Sequence, residues 1–75
     1  MSLSDVKLNT NCVVKEINIE DEKMKIRLME LGLTKGCVVS VNKKSVLKET
    51  LLLIFNSNYF TLKNNIAKQI VVNYA

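Results

Sequence analysis

LMELGLTKGCVVSV, residues 28–41, decides the fold, because in direct succession it predicts the end of a helix, a tight turn and a buried strand. Gly32 is expected to end the helix, since glycine adopts the left-handed conformation of a C-terminal cap without steric cost. Gly36 is expected at the position of a type II turn that requires a positive φ. Both glycines are therefore predicted to be structural, one as a cap and the other in a turn.

A short helix is predicted ahead of Gly32, over residues 20–31. Its first turn is acidic, and the helix dipole favours negative charge there. Either Asn18 or Asp21 is expected to be the N-cap, since both side chains can accept hydrogen bonds from the first backbone N–H groups. A narrow core stripe follows the spacing i, i+4 and i+7, and it consists of Met24, Leu28 and Leu31.

Strands are predicted on both sides of this helix, over residues 12–19 and 37–41. Val14 and Ile17 cannot both face inward on a regular period of two, so a bulge is expected near Lys15. In the second strand, alternate residues are apolar and are expected to face the core. These inward-facing residues are Cys37, Val39 and Val41.

A hairpin is predicted after a long polar connection over residues 42–49. Its strands are residues 51–55 and 59–63, and Ser57-Asn58 is expected to be the two-residue loop. This loop fixes the antiparallel register, in which the facing pairs are Phe55–Phe60, Leu53–Leu62 and Ile54–Thr61.

A helical turn over residues 64–69 and a last strand over residues 70–72 complete the predicted elements. The predicted fold class is mainly β: a small closed or nearly closed barrel of about five strands, with one short α-helix between the first two strands. Closure would leave few exposed strand edges.

The composition argues against an enzyme. The 75 residues suffice for a single domain, residues 1–75, with one core. The chain has no His, which removes the commonest metal ligand and the usual general base. Cys12 and Cys37 lack the short spacing of a metal or redox motif. We therefore predict no catalytic residue, no stable metal site and no cofactor.

Charge and hydropathy limit the partners. The net charge of +4 permits an acidic protein or a nucleic acid and requires neither. Only Tyr59 and Tyr74 could serve as stacking platforms near basic residues, so a nucleic acid is the less favoured partner. No apolar run approaches the roughly 18 residues needed to span a bilayer, and the first residues lack a signal-peptide pattern. We expect a cytoplasmic protein without direct membrane insertion.

Residues 27–36 resemble a segment of the FeoA family, Arg-Leu-x-x-Leu-Gly-Leu-x-Pro-Gly, which a valine-alternating strand follows. The positions that match it are Arg27, Leu28, Leu31, Gly32, Leu33 and Gly36. Lys35 stands where the family has Pro. Residues 3–8, 59–63 and 70–72 are similar to the opening, the penultimate strand and the end of the family. The resemblance therefore covers nearly the whole chain.

The resemblance implies an SH3-like barrel and a cytosolic accessory role in bacterial ferrous iron uptake. Family members are thought to act on FeoB, a membrane transporter with a cytosolic G-protein domain. The cytosolic region of FeoB is therefore the expected protein partner, and self-association to a homo-oligomer stays open. Two alternatives also remain: the SH3-like module of a metal-responsive regulator, or a small basic nucleic-acid-binding barrel. The regulator is less expected, because no DNA-binding helical domain precedes the barrel in this sequence.

Candidate partner-binding residues form an apolar and a basic group. If Leu51, Leu53 and Phe55 face the core, their neighbours point outward, and an outward apolar cluster often marks an interface. This apolar group is Leu52, Ile54 and Tyr59. The alternative is that N-terminal Leu3, Val6 and Leu8 fold over it. The basic group could contact an acidic partner surface, and it consists of Lys43, Lys44 and Lys48 with Lys25 and Arg27 on the helix.

Overall fold

The structure is a computed structural model that describes residues 1–47 and 49–75. The elements are β1 (Cys12–Ile17), α1 (Glu22–Glu30), β2 (Val38–Lys44), β3 (Thr50–Phe55), β4 (Asn58–Lys63), α2 (Asn64–Ala67) and β5 (Ile70–Tyr74), with a 3₁₀ turn at Leu3–Asp5. The strands form one antiparallel sheet in the order β4-β3-β2-β1-β5. The predicted class, mainly β with five strands and a short helix between the first two, is confirmed.

Helix α1 begins after Asp21, whose carboxylate accepts hydrogen bonds from the backbone N–H groups of Lys23 and Met24 at 3.1 and 3.2 Å. Asp21 is therefore the N-cap. Asn18, the other predicted candidate, donates through its side-chain amide to the Glu16 carboxylate at 3.3 Å. The helix starts later than predicted, because the cap residue itself keeps an extended conformation.

Gly32 ends α1 with a φ of 106°, as predicted. Its N–H donates to the carbonyl of Met29 at 3.0 Å, and the N–H of Leu33 donates to the carbonyl of Leu28 at 2.9 Å. These two bonds form a Schellman motif. The prediction of Leu31 in the core stripe is wrong: it is 42% exposed, because it has already reached the helix cap, and the fully buried Leu33 folds back in its place.

The turn after α1 is also confirmed. Gly36 has a φ of 88°, and the N–H of Cys37 donates to the carbonyl of Thr34 at 3.1 Å, which closes the turn. Strand β2 then continues to Lys44. The predicted polar connection is therefore shorter than residues 42–49, because its first residues pair with β3.

The bulge in β1 is confirmed. The pairing of β1 with β5 shifts register between Val14 and Glu16. The extra residue lets Val14 lie buried while Ile17, three positions later, packs against the same core.

The hairpin between β3 and β4 has a different register from the predicted one. Its two-residue loop is Asn56-Ser57, and both residues have positive φ, 50° and 62°. Such a type I′ geometry matches the twist of the strands, and Asn enters it with little strain. The facing pairs are Phe55–Asn58, Ile54–Tyr59, Leu53–Phe60, Leu52–Thr61 and Leu51–Leu62. Because the shift is two residues, each side chain keeps its predicted face.

The N-terminal segment completes the core and covers one edge of the sheet. Leu3 and Val6 are buried in the core, which the sequence did not predict. Ser2 forms a bridge to Val71 of β5, and the N–H of Val72 donates to the carbonyl of Met1 at 2.9 Å. The buried apolar residues are Leu3, Val6, Cys12, Val14, Ile19, Leu28, Leu33, Val39, Val41, Leu51, Leu53, Phe55, Leu62, Ala67, Ile70 and Val72.

The opposite end of the sheet stays open. Strand β4 pairs with β3 alone, and no pairing joins it to β5 in the described part of the chain. The sheet is therefore a nearly closed barrel with one uncovered strand edge. Within the same residues, no helix is long and apolar enough to cross a membrane.

Candidate functional site

The described residues include two cysteines and no cluster of metal-binding side chains. Within residues 1–47 and 49–75, no group of three Cys, Asp or Glu side chains could hold a metal ion. Cys12 and Cys37 are free thiols, and burial raises the pKa of the Cys12 thiol, which disfavours the reactive thiolate.

The predicted apolar group is brought together on the outer face of β3 and β4. Ile54 and Tyr59 are directly opposite each other, and Leu52 follows two residues away on the same face. Tyr59 is 69% exposed, whereas the two aliphatic side chains are half-buried. We call these three residues the hairpin face.

The N-terminal segment does not take up the position over the hairpin face that the alternative required. Leu3 and Val6 lie in the core, and Leu8 is exposed. The backbone hydrogen bonds of this segment run to β2 and β5, including the one from the N–H of Asn9 to the carbonyl of Val41 at 2.8 Å.

Val38 extends the apolar surface and was not singled out from the sequence. It lies two residues before Ser40, which pairs with Ile54, so it is on the same side of the sheet. Its side chain is 50% exposed. The signal was available, because Val38 stands between the predicted inward residues Cys37 and Val39.

The basic candidates are not equivalent. Lys43 is exposed and pairs in register with Leu52, beside the hairpin face. The ammonium of Lys44 instead donates to the backbone carbonyls of Ser4 and Val6, at 2.8 and 3.3 Å. Lys44 therefore holds the N-terminal segment in place, a role that the sequence did not indicate. Lys48 lies outside the described residues.

Arg27 lies at a separate groove of about 490 Å³, between α1 and the uncovered edge of β4. Apolar side chains line part of it, and charged and uncharged polar side chains line the rest. The lining residues used below are Asp21, Met24 and Arg27 of α1, Phe60 and Lys63 of β4, and Ile66 of α2. We call this the α1–β4 groove. The sequence predicted a closed or nearly closed barrel, and it therefore did not indicate the α1–β4 groove.

Comparison with known proteins indicates one protein family. The family model of the FeoA domain matches residues 1–74. The solution structure of a FeoA protein from Chlorobium tepidum is 28% identical with a TM-score of 0.91, over 99% of this chain and 70% of that protein. No curated protein sequence matches the chain.

Two further structures bear on the fold. A zinc-complexed FeoA from Stenotrophomonas maltophilia, described as an SH3 domain protein and a candidate activating factor of bacterial ferrous iron transport, is 34% identical with a TM-score of 0.84, over 97% of this chain and 89% of that one. ScaR with bound zinc is 17% identical with a TM-score of 0.82, and the match spans 100% of this chain and 37% of ScaR. The first confirms the predicted SH3-like fold, and the second is a likeness of fold alone.

Proposed function

Since this chain belongs to the FeoA domain family, we propose that it is a non-catalytic accessory protein of ferrous iron transport. It works in the cytoplasm by binding the cytosolic region of the transporter FeoB. The transported iron need not touch it.

The hairpin face is the observation that carries this proposal. Leu52, Ile54 and Tyr59 are adjacent on the outer side of the sheet, where an antiparallel sheet with one wet face normally has polar residues. Covering such apolar area is favourable by about 25 cal/mol per Å². A protein surface that packs on Ile54 and Tyr59 would bury this apolar area.

Charge supports a protein partner with an acidic surface. Lys43 borders the hairpin face, and Arg27 lies at the groove between α1 and β4. Peripheral charges of this kind mainly raise the association rate and set the orientation of the partner. Binding is therefore expected to weaken as ionic strength rises.

The two alternatives have less support. A regulator module rests on likeness to ScaR, which is one of fold alone and spans a minor part of that protein. A nucleic-acid-binding barrel would need aromatic side chains among the basic residues. Tyr59 is the exposed aromatic residue of the hairpin face, and its neighbours there are aliphatic.

The test is binding of the purified protein to the cytosolic region of FeoB encoded in the same genome, with and without guanine nucleotide. The unchanged protein should bind. The variant Leu52→Glu with Ile54→Lys should bind at least about tenfold more weakly, a loss of about 1.4 kcal/mol. Circular dichroism should show that this variant is folded.

The matched control is Ile26→Glu with Met29→Lys, which exchanges two exposed apolar residues of α1 for the same charges. It should bind normally. Absence of binding in every nucleotide state would refute the proposal. Recovery of nucleic acid alone in a pull-down from cell extract would favour the second alternative.

A further inference from the structure

The uncovered edge of β4 presents backbone groups that lack a partner. The closing pair of the hairpin turn, Phe55–Asn58, exchanges hydrogen bonds, and bonded pairs alternate with non-bonded ones along an antiparallel ladder. Tyr59 and Thr61 belong to non-bonded pairs, so their N–H and C=O groups point away from β3. Among the described residues, these groups have no other hydrogen-bond partner.

Helix α1 borders this edge. At one end, the side-chain amide of Asn56 in the hairpin turn donates to the carbonyl of Leu31 at 3.4 Å. At the other end, Asp21 lines the α1–β4 groove together with Lys63. Asp21, Met24 and Arg27 recur every three residues, so they share one side of the helix start. The groove therefore has a helix on one side and unpaired strand backbone on the other.

We propose that the α1–β4 groove binds an extended peptide segment, which adds a strand to β4. Backbone hydrogen bonds to Tyr59 and Thr61 give the segment its direction and register. An aliphatic side chain of the segment packs on Met24, Phe60 and Ile66. This inference rests on the proposed function, in that the cytosolic region of FeoB would supply the segment.

The charges of the groove select an acidic segment. None of the side-chain hydrogen bonds within the described residues involves the Arg27 guanidinium or the Lys63 ammonium. The carboxylate of Asp21 accepts the two N–H groups at the start of α1 through Oδ1 alone. A Glu or Asp beside the aliphatic residue of the segment would meet two cations, Arg27 and Lys63, against the single carboxylate of Asp21 in the groove lining.

A single strand fits the groove better than a second copy of this chain. Pairing of β4 with β4 of another copy would bring two α1 helices to the same edge, one from each copy. Each copy also carries a net charge of +4, so the two would repel. The groove volume of about 490 Å³ lies in the range of pockets that hold a small ligand, which is the size of a few peptide residues.

The first test is amide hydrogen exchange, followed by NMR, of the protein alone and bound to the cytosolic region of FeoB. In the free protein, the Tyr59 and Thr61 amides should exchange rapidly. In the complex, both should become protected by at least about tenfold, because each acquires a hydrogen bond. Neither amide changes if the partner covers the hairpin face alone.

The second test compares two charge reversals on α1. Arg27→Glu should weaken binding at least about tenfold. Lys25→Glu makes the same change in net charge but lies at a different cavity, with Met29 and Lys35, so it should have little effect. An equal loss of binding affinity in both variants would show that only the net charge matters, and it would refute binding in the α1–β4 groove.

The outcomes distinguish peptide binding in the α1–β4 groove from the proposed function. Binding of FeoB with no protection of the Tyr59 and Thr61 amides would sustain the proposed function and refute the groove. If FeoB does not bind, a displayed library of random peptides becomes the probe. Enrichment of acidic-aliphatic peptides that protect both amides and do not bind the Arg27→Glu variant would support peptide binding in the α1–β4 groove without the proposed function. If no such peptide is enriched, peptide binding in the groove is refuted.

Discussion

Replacement of Gly32 by Ala should destabilise the protein through two separate effects. At φ 106°, an L-residue is strained, and the left-handed conformation costs roughly 1–2 kcal/mol. A Cβ at this position would also collide with the side-chain amide of Asn56, which donates to the carbonyl of Leu31. Displacing that amide would lose a hydrogen bond worth about 0.5–1 kcal/mol.

The sum is about 1.5–3 kcal/mol, which lowers the melting temperature by about 6–24 °C in a domain of this size. Gly36→Ala is the matched control. Its φ of 88° carries a similar strain, but a Cβ there meets no atom within 4 Å. Gly36→Ala should therefore cost only the backbone part, about 1–2 kcal/mol. Gly32→Val should cost at least as much as Gly32→Ala, since a β-branched residue resists positive φ more strongly.

The assay is thermal and urea unfolding followed by circular dichroism, as a double-mutant cycle with Asn56→Gly. Glycine also fits the positive φ of position 56, so the turn should survive. In that background, Gly32→Ala should cost no more than Gly36→Ala. An unchanged melting temperature of Gly32→Ala would show that the cap is misassigned. An equal cost with and without Asn56 would show that the collision has no energetic effect.

Three further outcomes are expected. Calorimetry with ferrous or zinc ions should detect no sub-micromolar binding; a tight stoichiometric site that a Cys12→Ser with Cys37→Ser variant abolishes would contradict this. A thiol reagent should modify the half-buried Cys37 first and Cys12 only on unfolding, because burial excludes the reagent and raises the pKa of the Cys12 thiol; equal rates would be the opposing result. Lys44→Met should lower the free energy of unfolding by about 1–2 kcal/mol, because the ammonium of Lys44 donates to two backbone carbonyls. Lys43→Met should leave the free energy of unfolding unchanged. If the two variants have the same urea midpoint, Lys44 does not hold the N-terminal segment in place.

Local chemistry explains which parts of the fold were predictable from the sequence. The cap at Gly32 and the turn at Gly36 follow from a conformation that glycine adopts most easily. The bulge in β1 follows from two apolar residues, Val14 and Ile17, that a regular strand cannot bury together. In each case, the residues within one short segment contain all the information that the structure uses.

Features that depend on distant residues were not predictable. The hairpin register required a choice between Asn56-Ser57 and Ser57-Asn58, and both pairs suit a tight turn. The ammonium of Lys44 contacts carbonyls some forty residues earlier in the chain. The groove at Arg27 exists because the barrel stays open beside β4, and no local pattern reports on which strand will be unpaired.

The N-terminal segment makes the two edges of the sheet differ in how open they are to a further strand. Residues 1 and 2 occupy part of the β5 edge through the Ser2–Val71 bridge and the bond from Val72 to Met1. A sheet that is open at both ends can propagate strand by strand into a fibre. Because its own N-terminal residues occupy part of the β5 edge, the molecule is expected to accept an added strand at the β4 edge. Its strand-addition complexes should therefore stop at one-to-one stoichiometry, and removal of the first residues should create a second acceptor and a tendency to polymerise.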